Sequence, residues 1–237
     1  MKPNVFSILP LKRFEEAGVV LPEALEFHFD EVLTEKAIIS ACQGADFFLV
    51  PAAYPDINSR IIESIPSVRM IQTAGTGYNR VDIRSAARLG IPVANSPGRN
   101  VTTVAEFTLA LLIALQRRLV VSDREIKAGQ YSRARERFFT SGSREVSEAR
   151  IGIIGFGRIG RRVGELAHAL GMEVLAYDVQ PGGEPAYQPF SWQSIETIFE
   201  ESDVVTLHCP QTSDNVGMVN RSLLARMKPT ALLSNAA

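Results

Sequence analysis

The sequence predicts an α/β protein of two lobes, each built on a parallel sheet with helices on its faces. Three observations carry this. Through the first hundred residues, short β-branched or apolar runs alternate with stretches of helical spacing, and a second alternation of the same kind begins at Ile151. At about 150 residues per domain, the 237 residues fall between one domain and two, which suits two compact lobes.

Taken in order, Asn4–Leu9, Leu25–Phe29, Phe47–Val50 and Val68–Gln72 read as strands from their length and from the polar or Pro residues that bound them. Between them, Thr34–Cys42 and Ser59–Ser64 have helical spacing, with Thr34 and either Asn58 or Ser59 placed as caps. Asp82–Leu89 is a further helix, ended by Gly90. Thr103–Arg118 is the strongest helix in the chain. It is apolar almost all round through Ala105, Leu109, Leu112, Ala114 and Leu115, and closes on Arg117 and Arg118, whose charges favour a helix C-terminus. Burial on several sides is expected of it, at a domain or subunit interface. Residues 120–150 are polar, arginine-rich and weakly periodic, and read as a helix followed by a long surface loop or arm. From Ile151 the strands Ile151–Ile154, Val174–Tyr177, Val204–Leu207 and Ala231–Ser234 alternate with the helices Ile159–Leu170, Ile195–Glu201 and Arg221–Met227. The predicted domains are 1–100 and 101–237.

Composition narrows the function classes. An apolar fraction of 46% with 22% charged residues is a globular balance, not that of a disordered chain or a coiled coil. Formal charge is −1, so neither nucleic acid nor an anionic membrane is an expected partner. The basic run Arg133–Arg137 contains Glu136 and reads as a solvated face. Cys42 and Cys209 are too few and too far apart for a disulfide framework or a thiolate metal cluster, and a reducing cytoplasm is the expected setting. The opening residues lack the apolar core of a signal peptide, and the best apolar run, Phe107 to Leu115, is short for a membrane span.

One motif carries chemistry. Gly155, Gly157 and Gly160 form G-x-G-x-x-G, a weak pattern alone, but here an apolar strand precedes it and a helix follows. Gly155 permits the tight turn, Gly157 lets backbone N–H groups approach a pyrophosphate, and Gly160 lets the helix pack closely on the strand. The pyrophosphate then meets the positive end of the helix. Asp178 ends the next strand, 23 residues after Gly155, where a carboxylate accepts from ribose hydroxyls and repels a 2′-phosphate. NAD is therefore favoured over NADP. There is no P-loop and no G-x-S-x-G elbow, and His28, His168 and His208 are too scattered for a metal site. His208, beside Cys209 and Pro210 at a strand's carboxyl end, reads as structural or cofactor-lining before it reads as an acid or base.

With these residues in hand, the chain resembles the D-isomer-specific 2-hydroxyacid dehydrogenases, the family of phosphoglycerate, glycerate and D-lactate dehydrogenases. The likeness runs from about Val68 to the last residue. It is carried by AGTGYNRVDIRSAARLGIPVANSPGRNVTTVAEFTLALLIAL, by IGIIGFGRIG followed by AYD, by DVVTLHCPQTSDNVGMVN and by LLSNAA. The resemblance implies a flavodoxin-like substrate domain over 1–100, followed by a Rossmann-type NAD-binding domain over 101–237 that is incomplete at its C-terminus. The activity it implies is NAD-dependent interconversion of a D-2-hydroxy acid and a 2-keto acid. Thr76 and Gly77 then match residues whose backbone amides hold the substrate carboxylate, with Thr76 also near the nicotinamide. Arg158 and Ile159 match cofactor contacts, Asp178 the ribose ligand, and Cys209 and Pro210 the nicotinamide side. Asn235, Ala236 and Ala237 open the family's N-x-A-R-G segment. A homodimer formed through the cofactor domain is implied too, with the apolar helix and the arm contributing.

One departure is expected to matter. The family's catalytic arginine would be residue 238, its glutamate and histidine come later, and the sequence stops at Ala237. On this reading the dinucleotide domain ends after its fourth strand and the chain lacks the catalytic Arg/Glu/His region. An alternative therefore stays open: a non-catalytic NAD(H)-binding sensor or interaction protein.

Overall fold

The computed structural model describes residues 1–140 and 145–236, with Phe138 described in its backbone only. Ala237 and residues 141–144, part of the expected arm, lie outside the described residues. The chain divides into two compact units, Met1–Asn100 and Val101–Ala237.

The first unit runs β1 (Asn4–Ser7), α1 (Leu11–Glu16), β2 (Glu26–Phe29), α2 (Glu35–Ala41), β3 (Phe47–Val50), α3 (Ser59–Glu63), β4 (Met70–Thr73), α4 (Ile83–Arg88) and β5 (Val93–Ala94). Its sheet is parallel, in the order β2-β1-β3-β4-β5, the flavodoxin-like arrangement. Alternate strand residues, Phe6, Phe48, Val50 and Ile71, meet Ile38, Ile61, Ile62 and Ala86 of the helices in one buried cluster. Full burial of each large side chain there contributes about 1.5–3 kcal/mol. The helix starts follow side-chain caps. Thr34 accepts from the amide of Ala37, Asp82 from that of Ser85, and Asn58, not Ser59, caps α3 through the amide of Ile61. The amide and hydroxyl of Ser85 hold the Asp82 carboxyl below the usual range. Two elements escaped the sequence reading. α1 buries no residue fully, and is held by Phe14 against Phe29, ring centroids 5.5 Å apart. β5 has only two paired residues, too few for any periodicity to show.

The second unit runs α5 (Val101–Gln116), α6 (Leu119–Lys127), α7 (Tyr131–Thr140), a 3-10 turn at Val146–Glu148, β6 (Arg150–Ile154), α8 (Arg158–Ala169), β7 (Glu173–Tyr177), β8 (Phe190–Trp192), α9 (Ile195–Glu201), β9 (Val204–Leu207), α10 (Arg221–Leu224) and β10 (Leu232–Asn235). Its parallel sheet has the order β10-β9-β6-β7-β8. That is 5-4-1-2-3 by sequence within the unit, the Rossmann order read from its far edge. Residues of β6 alternate between two cores. Ile151 and Ile153 pack with Ala105, Leu109, Val163 and Ala167 on one face, and Ile154 with Ile198, Phe199 and Leu223 on the other.

Three expectations need correction here. The sheet has five strands rather than four, because β8 is short, follows a Pro- and Gly-rich stretch, and is pinned by tertiary contacts among Phe156, Phe190 and Trp192. The apolar helix ends at Gln116, and Arg118, in the left-handed region at φ 51°, turns the chain into α6. Only one face of α5 is buried within the unit, through Ala105, Thr108, Leu109 and Leu112, while Phe107 and Leu115 are exposed. The arm, as far as it is described, is two helices. Glu125 of α6 is buried between them and pairs with Arg137 and Arg133 of α7, so an ion pair rather than an apolar stripe joins them. Among the described residues no helix is long and apolar enough to cross a membrane.

Candidate functional site

In the second unit the chain leaves β6 through the glycine turn directly into α8. The amide of Gly155 donates to the carbonyl of Tyr177 (2.8 Å), and that of His208 to the carbonyl of Ile154 (2.8 Å), so the carboxyl ends of β6, β7 and β9 are laced together. Gly155 has φ 92°, and a Cβ on it would stand 2.5 Å from the amide nitrogen of Cys209. A Cβ on Gly160 would stand 2.1 Å from the carbonyl oxygen of Gly155. Both positions therefore exclude a side chain. Gly157 is different: a Cβ there would meet nothing within 4 Å, because the turn faces open space. The first-turn amides of Arg158 and Ile159 have no acceptor among the described residues, as helix geometry dictates. The result is an open turn at the positive end of a helix, an arrangement suited to a pyrophosphate.

Asp178 lies at the rim. Its Oδ2 accepts from the amide of Phe156 (2.8 Å) and its Oδ1 from that of Gln180 (3.1 Å), which orients the carboxylate beside the glycine turn. On the other side β6 adjoins β9, and the strand order reverses between them, where such sheets bind their ligands. Cys209 and Pro210 leave β9 at this point, and Asn235 ends β10 opposite Leu207 with Ala236 after it. The fold thus brings Gly155, Gly157, Arg158, Ile159, Gly160, Asp178, Cys209 and Pro210 to one edge of the sheet. Burial and the charge of Asp178 push the Cys209 thiol up, so it is a poor nucleophile. Burial also pushes His208 down to about 4, and its Nε2 lies 3.0 Å from the Thr206 hydroxyl. Burial and the contact with Thr206 thus favour the neutral form of the imidazole and fix its ring. His168 stacks on Tyr187, ring centroids 4.8 Å apart, away from any ligand role. Sequence reasoning missed Asn215, which accepts from the amide of Thr212 (2.8 Å) and donates to the carbonyl of Pro210 (2.7 Å), shaping the loop after β9. Only its fold in space connects it to Pro210.

Thr76 and Gly77 belong to the first unit, in the loop that follows β4. The amide of Ala74 donates to Val50 and that of Ser96 to Gly75, fastening both sides of the loop. The amides of Thr76 and Gly77 have no acceptor among the described residues, so two N–H groups remain for an anion. Among the described residues no cluster of His, Cys, Asp or Glu could hold a metal ion.

Fold and turn together define a dinucleotide-binding α/β protein. Residues 109–237 match the family model described as "D-isomer specific 2-hydroxyacid dehydrogenase, NAD binding domain". A glyoxylate reductase of Korarchaeum cryptofilum is 33% identical over 99% of this chain and 71% of its own length. A D-3-phosphoglycerate dehydrogenase of Synechocystis is 31% identical over 96% of this chain, which spans only 40% of that protein. Among solved structures, a D-lactate dehydrogenase of Aquifex aeolicus complexed with NAD and lactic acid superposes with a TM-score of 0.78 at 26% identity, covering 98% of this chain and 68% of that one. The chain belongs to the D-isomer-specific 2-hydroxyacid dehydrogenase family, and its cofactor is NAD.

Proposed function

We propose that this chain serves the reversible NAD-dependent interconversion of a small D-2-hydroxy acid and its 2-keto acid. The observation that carries the reading is the glycine turn locked to Asp178 by the amide of Phe156. In this reading Gly157, Arg158 and Ile159 present amides to the pyrophosphate, where the α8 dipole adds to their pull. Asp178 accepts from the adenosine ribose and disfavours a 2′-phosphate. Cys209, Pro210, Asn235 and Ala236 line the nicotinamide side, and Ala237 is assigned there from the family pattern alone. Bound NAD(H) accepts or supplies the hydride. Thr76 and Gly77 hold the carboxylate of the acid through their amides, and Thr76 extends toward the nicotinamide. The relatives' names make glyoxylate and hydroxypyruvate the first acids to try.

A homodimer is part of the proposal. Phe107, Leu115, Val120, Val121, Ile126 and Phe139 are all exposed on α5, α6 and α7, and a second copy would cover them.

Fluorescence titration with NADH tests the cofactor reading. The wild-type chain is expected to bind, and Asp178→Ala to bind at least about tenfold more weakly, since it loses a charged acceptor and the lock on the turn. Equal binding by both would overturn the role of Asp178. Loss of NADH absorbance with glyoxylate or hydroxypyruvate tests the chemistry; binding without turnover across both acids would favour the sensor reading instead.

A further inference from the structure

The loop that carries Thr76 and Gly77 is held by side chains from a later stretch of the same unit. The Thr76 hydroxyl donates to Oδ1 of Asn100 (3.1 Å) and approaches the carbonyl of Ser96 (3.4 Å). Nδ2 of Asn95 donates to the Thr76 carbonyl (2.7 Å). The Ser96 amide donates to the Gly75 carbonyl (2.8 Å), which also accepts from the Thr73 hydroxyl (3.3 Å). Both the carbonyl and the hydroxyl of Thr76 are therefore engaged, and its amide is the group left over.

The geometry points to Asn95 and Asn100 as positioning residues for the carboxylate-binding loop. This rests on the reading of Thr76 and Gly77 given above and deepens it. Glycines flank Thr76 on both sides, so the backbone at 75–77 has many conformations within reach. In only some of them do two successive N–H groups converge on one anion. Fixing the peptide planes on either side of Thr76 selects such a conformation before the substrate arrives, and the ordering cost is not charged against binding. The single hydroxyl proton of Thr76 is held between two acceptors, Asn100 Oδ1 and the Ser96 carbonyl. Thr76 therefore meets the substrate through its main chain, and its hydroxyl acts inward as part of the clamp. Asn100 directly precedes Val101, the first residue of α5, and Asn95 follows β5, so both asparagines sit at ends of defined elements rather than on free chain.

The two asparagines play opposite chemical parts, and this supplies a signature that general loosening does not imitate. Asn100 accepts, so Asn100→Asp keeps the bond to the Thr76 hydroxyl while Asn100→Ala removes it. Asn95 donates, so Asn95→Asp loses the bond as fully as Asn95→Ala does. The measurement is the backbone order parameters of Gly75, Thr76 and Gly77 by nitrogen relaxation in the full chain, without substrate. They are expected to fall from the rigid range of about 0.85 toward about 0.6 in Asn95→Ala, Asn95→Asp and Asn100→Ala, and to stay near the wild-type value in Asn100→Asp. Strands β3 and β4 serve as the internal control and are expected not to change. Thr76→Val, which keeps the shape and removes the hydroxyl, is expected to match Asn100→Ala and stands in should an asparagine variant fail to fold. Order parameters unchanged in Asn100→Ala and Thr76→Val, or lowered equally by Asn100→Asp, would overturn the clamp. A glyoxylate titration of the NADH-saturated protein then links the clamp to function, with binding weakened about tenfold in Asn100→Ala. If the wild-type chain takes up no glyoxylate, the substrate reading fails while the order parameters still decide the clamp.

Discussion

At the scale of single residues, the site is made by what cannot be present as much as by what is. A methyl group at Gly160 would stand 2.1 Å from the Gly155 carbonyl, far inside contact distance, so strand and helix could not keep their approach. At Gly157 the same methyl would meet only open space, so the chain's own packing does not require that glycine, and the proposed pyrophosphate contact is what would. His208 illustrates a different constraint. Burial lowers it from 6.5 to about 4, so the folded protein holds it neutral where the unfolded chain already takes up a proton. Stability is therefore expected to be flat above pH 6.5 on this account and to fall as the pH drops through the window from about 6.5 to about 4. The loss amounts to at most about 3 kcal/mol. Urea unfolding at a series of pH values checks this, and His208→Asn should flatten the slope in that window. An unchanged slope would mean that other groups set the acid sensitivity.

At the scale of elements, α5 to α7 carry the contrast between pattern and packing. The sequence marks α5 as apolar almost all round, which suggests a helix buried on several sides at a domain or subunit interface. Within its unit it is enclosed on one face only, with Phe107 57% and Leu115 51% exposed, and α6 adds Val120 at 65%. In the proposed homodimer a second copy of the chain would cover the remaining apolar surface. Sedimentation velocity is expected to show a dimer for the wild type and a monomer for Val120→Glu, because a carboxylate buried at an apolar contact lacks a partner. A monomeric wild type would remove the proposed homodimer. α7 shows the reverse case. Its polar, arginine-rich letters read as a solvated face, and Arg133 stays exposed while reaching Glu125 of α6, whereas Arg137 is the arginine half-buried against that buried carboxylate.

At the scale of the whole molecule, the two units have separate cores. One gathers Phe6, Ile38, Phe48, Ile62 and Ile71, and the others Ile151, Ile153, Val163 and Val174 or Ile154, Phe199 and Val205. The glycine turn lies wholly within Val101–Ala237. Ligand binding stabilises what it binds by mass action, so NAD at one hundred times its Kd should add about 2.7 kcal/mol to that unit. Hydrogen exchange is the measurement, with β6, β7 and β9 slowing on addition of NAD while β1, β3 and β4 keep their rates in the absence of a substrate acid. Equal slowing in both units would show that the cofactor's stabilisation spreads beyond the unit that holds the turn.

Much of this protein is local, and local features are legible in letters. Val204–Leu207 and Phe47–Val50 announce themselves as strands because parallel strands buried on both faces must be short and continuously apolar. The glycine turn and Asp178 are legible because their job depends on missing side chains and on a fixed distance along the chain. Other features exist only once distant segments meet. β8 is a strand because Phe190 and Trp192 find Phe156, and β5 because two residues find β4. The neutral state of His208 comes from burial, and the hold of Asn95 and Asn100 on Thr76 joins residues 19 and 24 positions apart. The sequence by itself determined the fold class, the family and the cofactor turn, because periodicity and glycine sterics act over a few residues. Only the tertiary structure decided which polar groups are engaged and which apolar ones stay open, because hydrogen bonding and burial depend on neighbours the chain brings together in folding.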